Sequence, residues 1–141
     1  MKTVFVFTSG FYALLDGSDP FCPAATQLFR RAESERWQLV TTNYVVHETW
    51  ALVQHRLGWN ALEDFLDALL PLCQVEFVDE TLHALGVQRC RQARLRNLSL
   101  TDCISFESMK RLGITEAVAR DDHFDREGFR LPSRGHQGGG Q

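Results

Sequence analysis

Three things are scarce in this sequence of 141 residues, and each scarcity removes a class of function. Cysteine occurs only as Cys22, Cys73, Cys90 and Cys103, with no C-x-x-C pair, so a zinc knuckle or dithiol redox centre is excluded. The four thiols read instead as free, buried or half-buried side chains of a reducing cytoplasm. No apolar run approaches the ~20 residues that span a bilayer, which predicts no membrane segment. The N-terminus enters a strand at once, with none of the charged-then-apolar pattern of a signal peptide. Basic excess is missing too. The formal net charge is −3 and the pI about 5.9, so any nucleic-acid contact must come from local charge.

Familiar catalytic signatures are also absent. His47-Glu48 begins an H-E-x-x-H pattern, but position 51 is Ala. Ser9 has no G-x-S-x-G context, and there is no Gly-rich phosphate loop.

What is present is a chain of ordinary soluble composition, 44% hydrophobic and 23% charged, sized for one core. Residues 3–8 read as a buried strand, and Ser9 as the cap of a short helix through Leu15. A helix is predicted from Pro23 to Trp37, and a strand over Gln38–Thr42. Asn43 is read as the N-cap of a helix from Tyr44 to Leu57. From Asn60, Leu62, Phe65, Leu66, Leu69 and Leu70 mark an amphipathic helix that Pro71 ends. Gln74–Val78 is a third strand and Asp79–Asn97 a helix. Ser99 caps a helix through Leu112, stopped by Gly113. Ile114–Ala119 is a fourth strand, and Phe129-Arg130-Leu131 a short last one. Strands alternating with helices predict an α/β fold: three layers, α/β/α, with a mostly parallel central sheet of four to five strands. Residues 1–132 form the expected domain, and the Gly- and Gln-rich 133–141 an expected disordered tail.

Chemistry-bearing residues collect at element ends, where sites form in such sheets. Glu48 lies one turn into its helix, on the face of Val45 and Leu52. Asp102 falls in Ser99-Leu100-Thr101-Asp102, which also matches a capping box. Asp121 and Asp122 follow the fourth strand, and adjacent acids there repel unless a cation is present. Carboxylates without His or Cys favour a hard metal ion. Ser9, Asp122 and Asp125 are secondary candidates. Arg89, Arg91, Arg94 and Arg96 form the best local patch for phosphate contacts. Trp37, Trp50 and Trp59 read as core or boundary aromatics.

Together these pieces resemble the PIN domain, the fold of VapC-type toxins of bacterial toxin–antitoxin pairs. The resemblance runs from Val4 to about Leu131. It rests on Val4-Phe5-Val6-Phe7-Thr8-Ser9, Asn43-Tyr44-Val45-Val46-His47-Glu48, Leu98-Ser99-Leu100-Thr101-Asp102 and Ala119-Arg120-Asp121-Asp122-His123-Phe124, in order and at suitable spacing. It implies a metal-dependent endoribonuclease using Mg²⁺ or Mn²⁺, with Glu48, Asp102 and Asp121 as metal-binding catalytic acids. It also implies an antitoxin-like partner and a homodimer. One residue departs from the pattern: the family's first Asp falls on Phe7, which offers no oxygen to a cation. The resemblance therefore implies weakened cleavage, with a degenerate RNA- or protein-binding module as the alternative. A receiver-type signalling domain fits less well, because its acid pair follows the first strand. The three acids are expected to converge within roughly 10 Å, a span that one or two hydrated cations bridge.

Overall fold

The computed structural model describes residues 1–120 and 127–133. Its centre is a four-stranded parallel sheet of order β3-β2-β1-β4, formed by β1 (Thr3–Val6), β2 (Gln38–Thr42), β3 (Cys73–Glu76) and β4 (Ala117–Val118). Successive side chains of a strand point to opposite faces. Val4, Phe5 and Val6 are all 0% exposed, so both faces of β1 are covered, as the three-layer reading requires. The helices are α1 (Thr8–Leu15), α2 (Cys22–Ser34), α3 (Asn43–Arg56), α4 (Trp59–Asp64), α5 (Glu80–Ala93) and α6 (Leu100–Leu112).

Several boundaries differ from the sequence reading, each for a local reason. The first strand stops at Val6, and Thr8 already opens α1 without a side-chain cap. Ser9 is inside that helix, and its hydroxyl accepts the Arg120 N–H instead (2.9 Å). Thr42, not Asn43, caps α3 by accepting from Val45 N–H; Asn43 uses its Oδ1 to take the Val78 N–H at 2.8 Å. The second helix ends at Ser34, because Arg36 turns left-handed (φ 57°) and brings Trp37 back to the Ala32 carbonyl. The leucine-rich helix stays α-helical only to Asp64. It passes through a π turn (Phe65–Leu69) and a 3-10 turn (Leu70–Leu72) as it meets Pro71. Arg94 (φ 51°) closes α5, which leaves Arg94 and Arg96 off the helix. Residues 129–131 contribute a single parallel bridge, Glu116 to Arg130, rather than a strand.

Other expectations hold. Ser99 and Asp102 make the reciprocal capping box of α6, and Gly113 (φ 70°) ends it. The thiols are free: Cys103 is buried and the other three half-buried. Burial pushes Cys73 and Cys103 up to about 12, so neither is a ready nucleophile. Among the described residues no helix is long and apolar enough to cross a membrane. The expected tail falls almost wholly outside the described residues. Its first residue, Ser133, donates its N–H to Glu116 and accepts from Arg31.

Two contacts set the carboxyl edge of the sheet. Phe7 N–H donates to the Val118 carbonyl (3.1 Å), joining the end of β1 to β4. At Gly10, an added Cβ would lie 2.6 Å from the same carbonyl oxygen, so only glycine lets α1 lie this close to β4.

Candidate active site

Beyond the carboxyl ends of β1 and β4 lies a cleft of about 440 Å³, lined by Phe7, Thr8, Ser9, Tyr12, Asp19, Glu48, Leu52, Arg56, Asp102 and Arg120. This is where a parallel sheet places its sites. Glu48 and Asp102, 54 residues apart in the chain, share it. Leu52 lies beside Glu48, one turn further along α3, as the face reading anticipated. Asp121, Asp122 and Asp125 lie outside the described residues, so only two of the three expected acids are seen together.

Glu48 and Asp102 are both half-buried. Asp102 works twice: its Oδ2 accepts the Ser99 N–H (3.2 Å) while its own N–H donates to Ser99 Oγ (3.0 Å). The capping box thus fixes the first turn of α6 and aims an acid at the cleft. Buried hydroxyls tie the neighbouring elements together. Thr41 Oγ1 donates to the Val6 carbonyl (2.9 Å), and Thr49 Oγ1 to Thr8 Oγ1 (3.3 Å), which ties α3 to the first residue of α1.

Phe7 is the residue on which the resemblance places the family's first Asp. It is 4% exposed, with its ring 5.2 Å from Phe5 and 5.5 Å from Phe106. The ring extends the core up to the floor of the cleft. Among the described residues no three His, Cys, Asp or Glu side chains stand close enough to hold a metal ion. Of the three described carboxylates that line the cleft, Asp19 pairs with Arg120, and Glu48 and Asp102 remain as hard oxygen ligands. They fit a divalent cation that keeps most of its waters.

The sequence reading missed Asp19, Arg56 and Arg120. Asp19 belongs to the turn Asp16-Gly17-Ser18-Asp19-Pro20, and turn chemistry explained it fully. In the fold its side chain is 5% exposed, takes the Phe21 N–H (2.8 Å) and pairs with Arg120 Nη1 (3.2 Å). Arg56 was legible: it is eight residues after Glu48, hence on the same helical face. Its guanidinium lies over the Tyr12 ring (5.7 Å), and Tyr12 donates its hydroxyl to Asp16 Oδ2 (2.8 Å). That hydrogen bond to Asp16, with burial, raises the Tyr12 pKa.

The arginine patch is not at this cleft. Arg89 is tied to Glu107 and Glu127 and stacks over Phe106 (5.6 Å). Arg91 and Arg94 line a separate groove along α5 with His83 and Gln88. Arg96 is exposed in the turn before α6. Of the tryptophans, Trp37 is buried as expected. Trp50 and Trp59 are 37% and 54% exposed, packed edge to face on each other.

The sequence matches the PIN domain over residues 4–129. It is 31% identical, over 127 residues, to the 23S rRNA-specific endonuclease VapC20 of Mycobacterium tuberculosis, in strain CDC 1551 / Oshkosh and in strain ATCC 25618 / H37Rv alike. The alignment covers 89% of this chain and 95% of the relative. The crystal structure of M. tuberculosis VapC20, described as a sarcin–ricin loop cleaving toxin, superposes with a TM-score of 0.79 at 31% identity, over 89% of this chain and 95% of that one.

Proposed function

This chain belongs to the PIN domain family, among its VapC-type ribonucleases, and from that premise we propose that it hydrolyses RNA phosphodiester bonds in the cleft of Glu48 and Asp102. The observation that carries this reading is the meeting of those two acids at the carboxyl edge of the sheet. They would hold Mg²⁺ or Mn²⁺, with Asp121 as third ligand and Asp122 or Asp125 as substitutes. When bound, such an ion offsets charge on the phosphoryl oxygens and makes a coordinated water more acidic. The protein's own residues do the rest. The Ser99–Asp102 box orients one carboxylate, and the Thr8–Thr49 contact keeps Glu48's helix against the start of α1. Ser9 Oγ accepts from Arg120 N–H and keeps its own proton for a phosphate oxygen.

Ribosomal RNA is the first substrate to test, since the relative is named for cleaving it. Purified protein with Mg²⁺ or Mn²⁺ is expected to cleave it slowly, and excess EDTA to stop the reaction. Cleavage that persists in EDTA would overturn the metal-held reading. Phe7 favours a second reading, a binding module that retains RNA without cutting it; tight binding with no cleavage in either cation would select that one.

The same proposal includes a cytoplasmic protein with an antitoxin-like partner and a second copy of the chain. The exposed Trp50–Trp59 pair supports an interface, because paired aromatics in water usually await a cover. Light scattering at micromolar concentration is expected to give a dimer mass. A monomer mass would remove self-association and leave the hetero-partner.

A further inference from the structure

An acidic cleft repels the polyanion it is meant to cut, so something in it must attract phosphate. Two guanidinium groups line it, Arg56 and Arg120. We propose that these two arginines are the phosphate-binding residues of the cleft, with Asp19 and Ser9 positioning Arg120. The inference rests on the ribonuclease reading above and replaces the α5 arginines as the primary RNA contact.

Arg120 is held at both ends. Its backbone N–H is fixed by Ser9 Oγ (2.9 Å) and its Nη1 by Asp19 Oδ2 (3.2 Å). Asp19 is buried, but the Arg120 side chain is 56% exposed. A guanidinium carries five N–H donors in a rigid fork. Asp19 engages one nitrogen, which leaves donors on a pre-oriented group facing the cleft. Arg56 is the complement. It projects from α3 two turns beyond Glu48, about 12 Å along the axis, and makes no ion pair among the described residues. That separation suits a phosphate further along the strand than the one at the acids. Arg120 thus supplies geometry, and Arg56 supplies charge along the strand.

The test is binding of a short fluorescent single-stranded RNA by anisotropy, in EDTA, across a salt series. Arg56→Ala and Arg120→Ala are each expected to weaken binding roughly tenfold. Each should flatten the slope of log K against log salt by about 0.7, the value for one phosphate contact on a single strand. Arg30→Ala, an exposed arginine on α2 outside the cleft, removes the same charge and should leave the slope unchanged. Arg120→Lys should recover the slope but not the cleavage rate, because a point charge cannot serve Asp19 and a phosphate in the same fixed plane. Unchanged slopes for both alanine variants would overturn the inference, as would an equal change for Arg30→Ala or full recovery of the rate by lysine. Failure of the parent protein to bind RNA at all would instead sink the ribonuclease reading on which the inference rests.

Discussion

Phe7→Asp raises divalent-cation-dependent RNA cleavage roughly 10- to 100-fold over the parent, measured as initial rate on ribosomal RNA. Changes beside a metal ligand already shift affinity or activity by that factor, and here a whole oxygen ligand is added. The same substitution lowers stability in EDTA. The ring of Phe7 is buried against Phe5 and Phe106, and deleting a buried phenylalanine ring costs about 3–5 kcal/mol. A carboxylate put there also faces Glu48 and Asp102 across the cleft, and like charges brought together disfavour ionisation. A cation that binds only the folded variant reverses part of the loss, by about 2.7 kcal/mol at 100 times its dissociation constant. Melting curves of the variant should therefore move upward with Mg²⁺ or Mn²⁺ more than those of the parent. Phe7→Ala separates the two effects: it loses the ring and gains no ligand, so it should melt lower and cleave no faster. A folded Phe7→Asp protein with the parent's rate would show that position 7 does not limit the chemistry.

The fold was largely readable because the sequence states it locally. Val4-Phe5-Val6 is apolar on every residue, which only a strand covered on both faces explains. Ser99 with Asp102, and Gly113 after Leu112, mark a helix at both ends, and the structure keeps both marks. What was unreadable depended on partners far along the chain. Asn43 looks like a cap until Val78 claims its side chain. Asp19 looks like a turn residue until Arg120, 101 positions later, folds against it. Arg89 looks like a phosphate ligand until Glu107 and Glu127 take up its donors. In each case a local rule gave a sufficient explanation and a tertiary contact overrode it. Phe7 is the opposite case. Its departure was visible in the sequence, and the structure adds where its ring packs.

Glu48→Gln and Asp102→Asn each lower cleavage by roughly 100-fold or more, and the double variant is little worse than either alone. The first part follows from charge. An amide keeps the shape and one acceptor oxygen but loses the negative charge that holds a cation, and a single electrostatic group lost from a reaction site typically costs 10²–10³ in rate. The second part follows from shared work. If both carboxylates hold the same ion, removing one already empties the site, so the losses do not add. Asp102 needs a further check, since it also caps α6 through Ser99. Asparagine can still accept the Ser99 N–H, and the favourable charge lost at the helix N-terminus is worth about 0.3–1 kcal/mol. Asp102→Asn should accordingly melt within a few degrees of the parent while its cleavage collapses. A loss of activity that tracks the melting temperature would assign Asp102 to the helix alone. Additive losses in the double variant would mean that Glu48 and Asp102 act on different atoms, and a single shared cation would no longer describe the site.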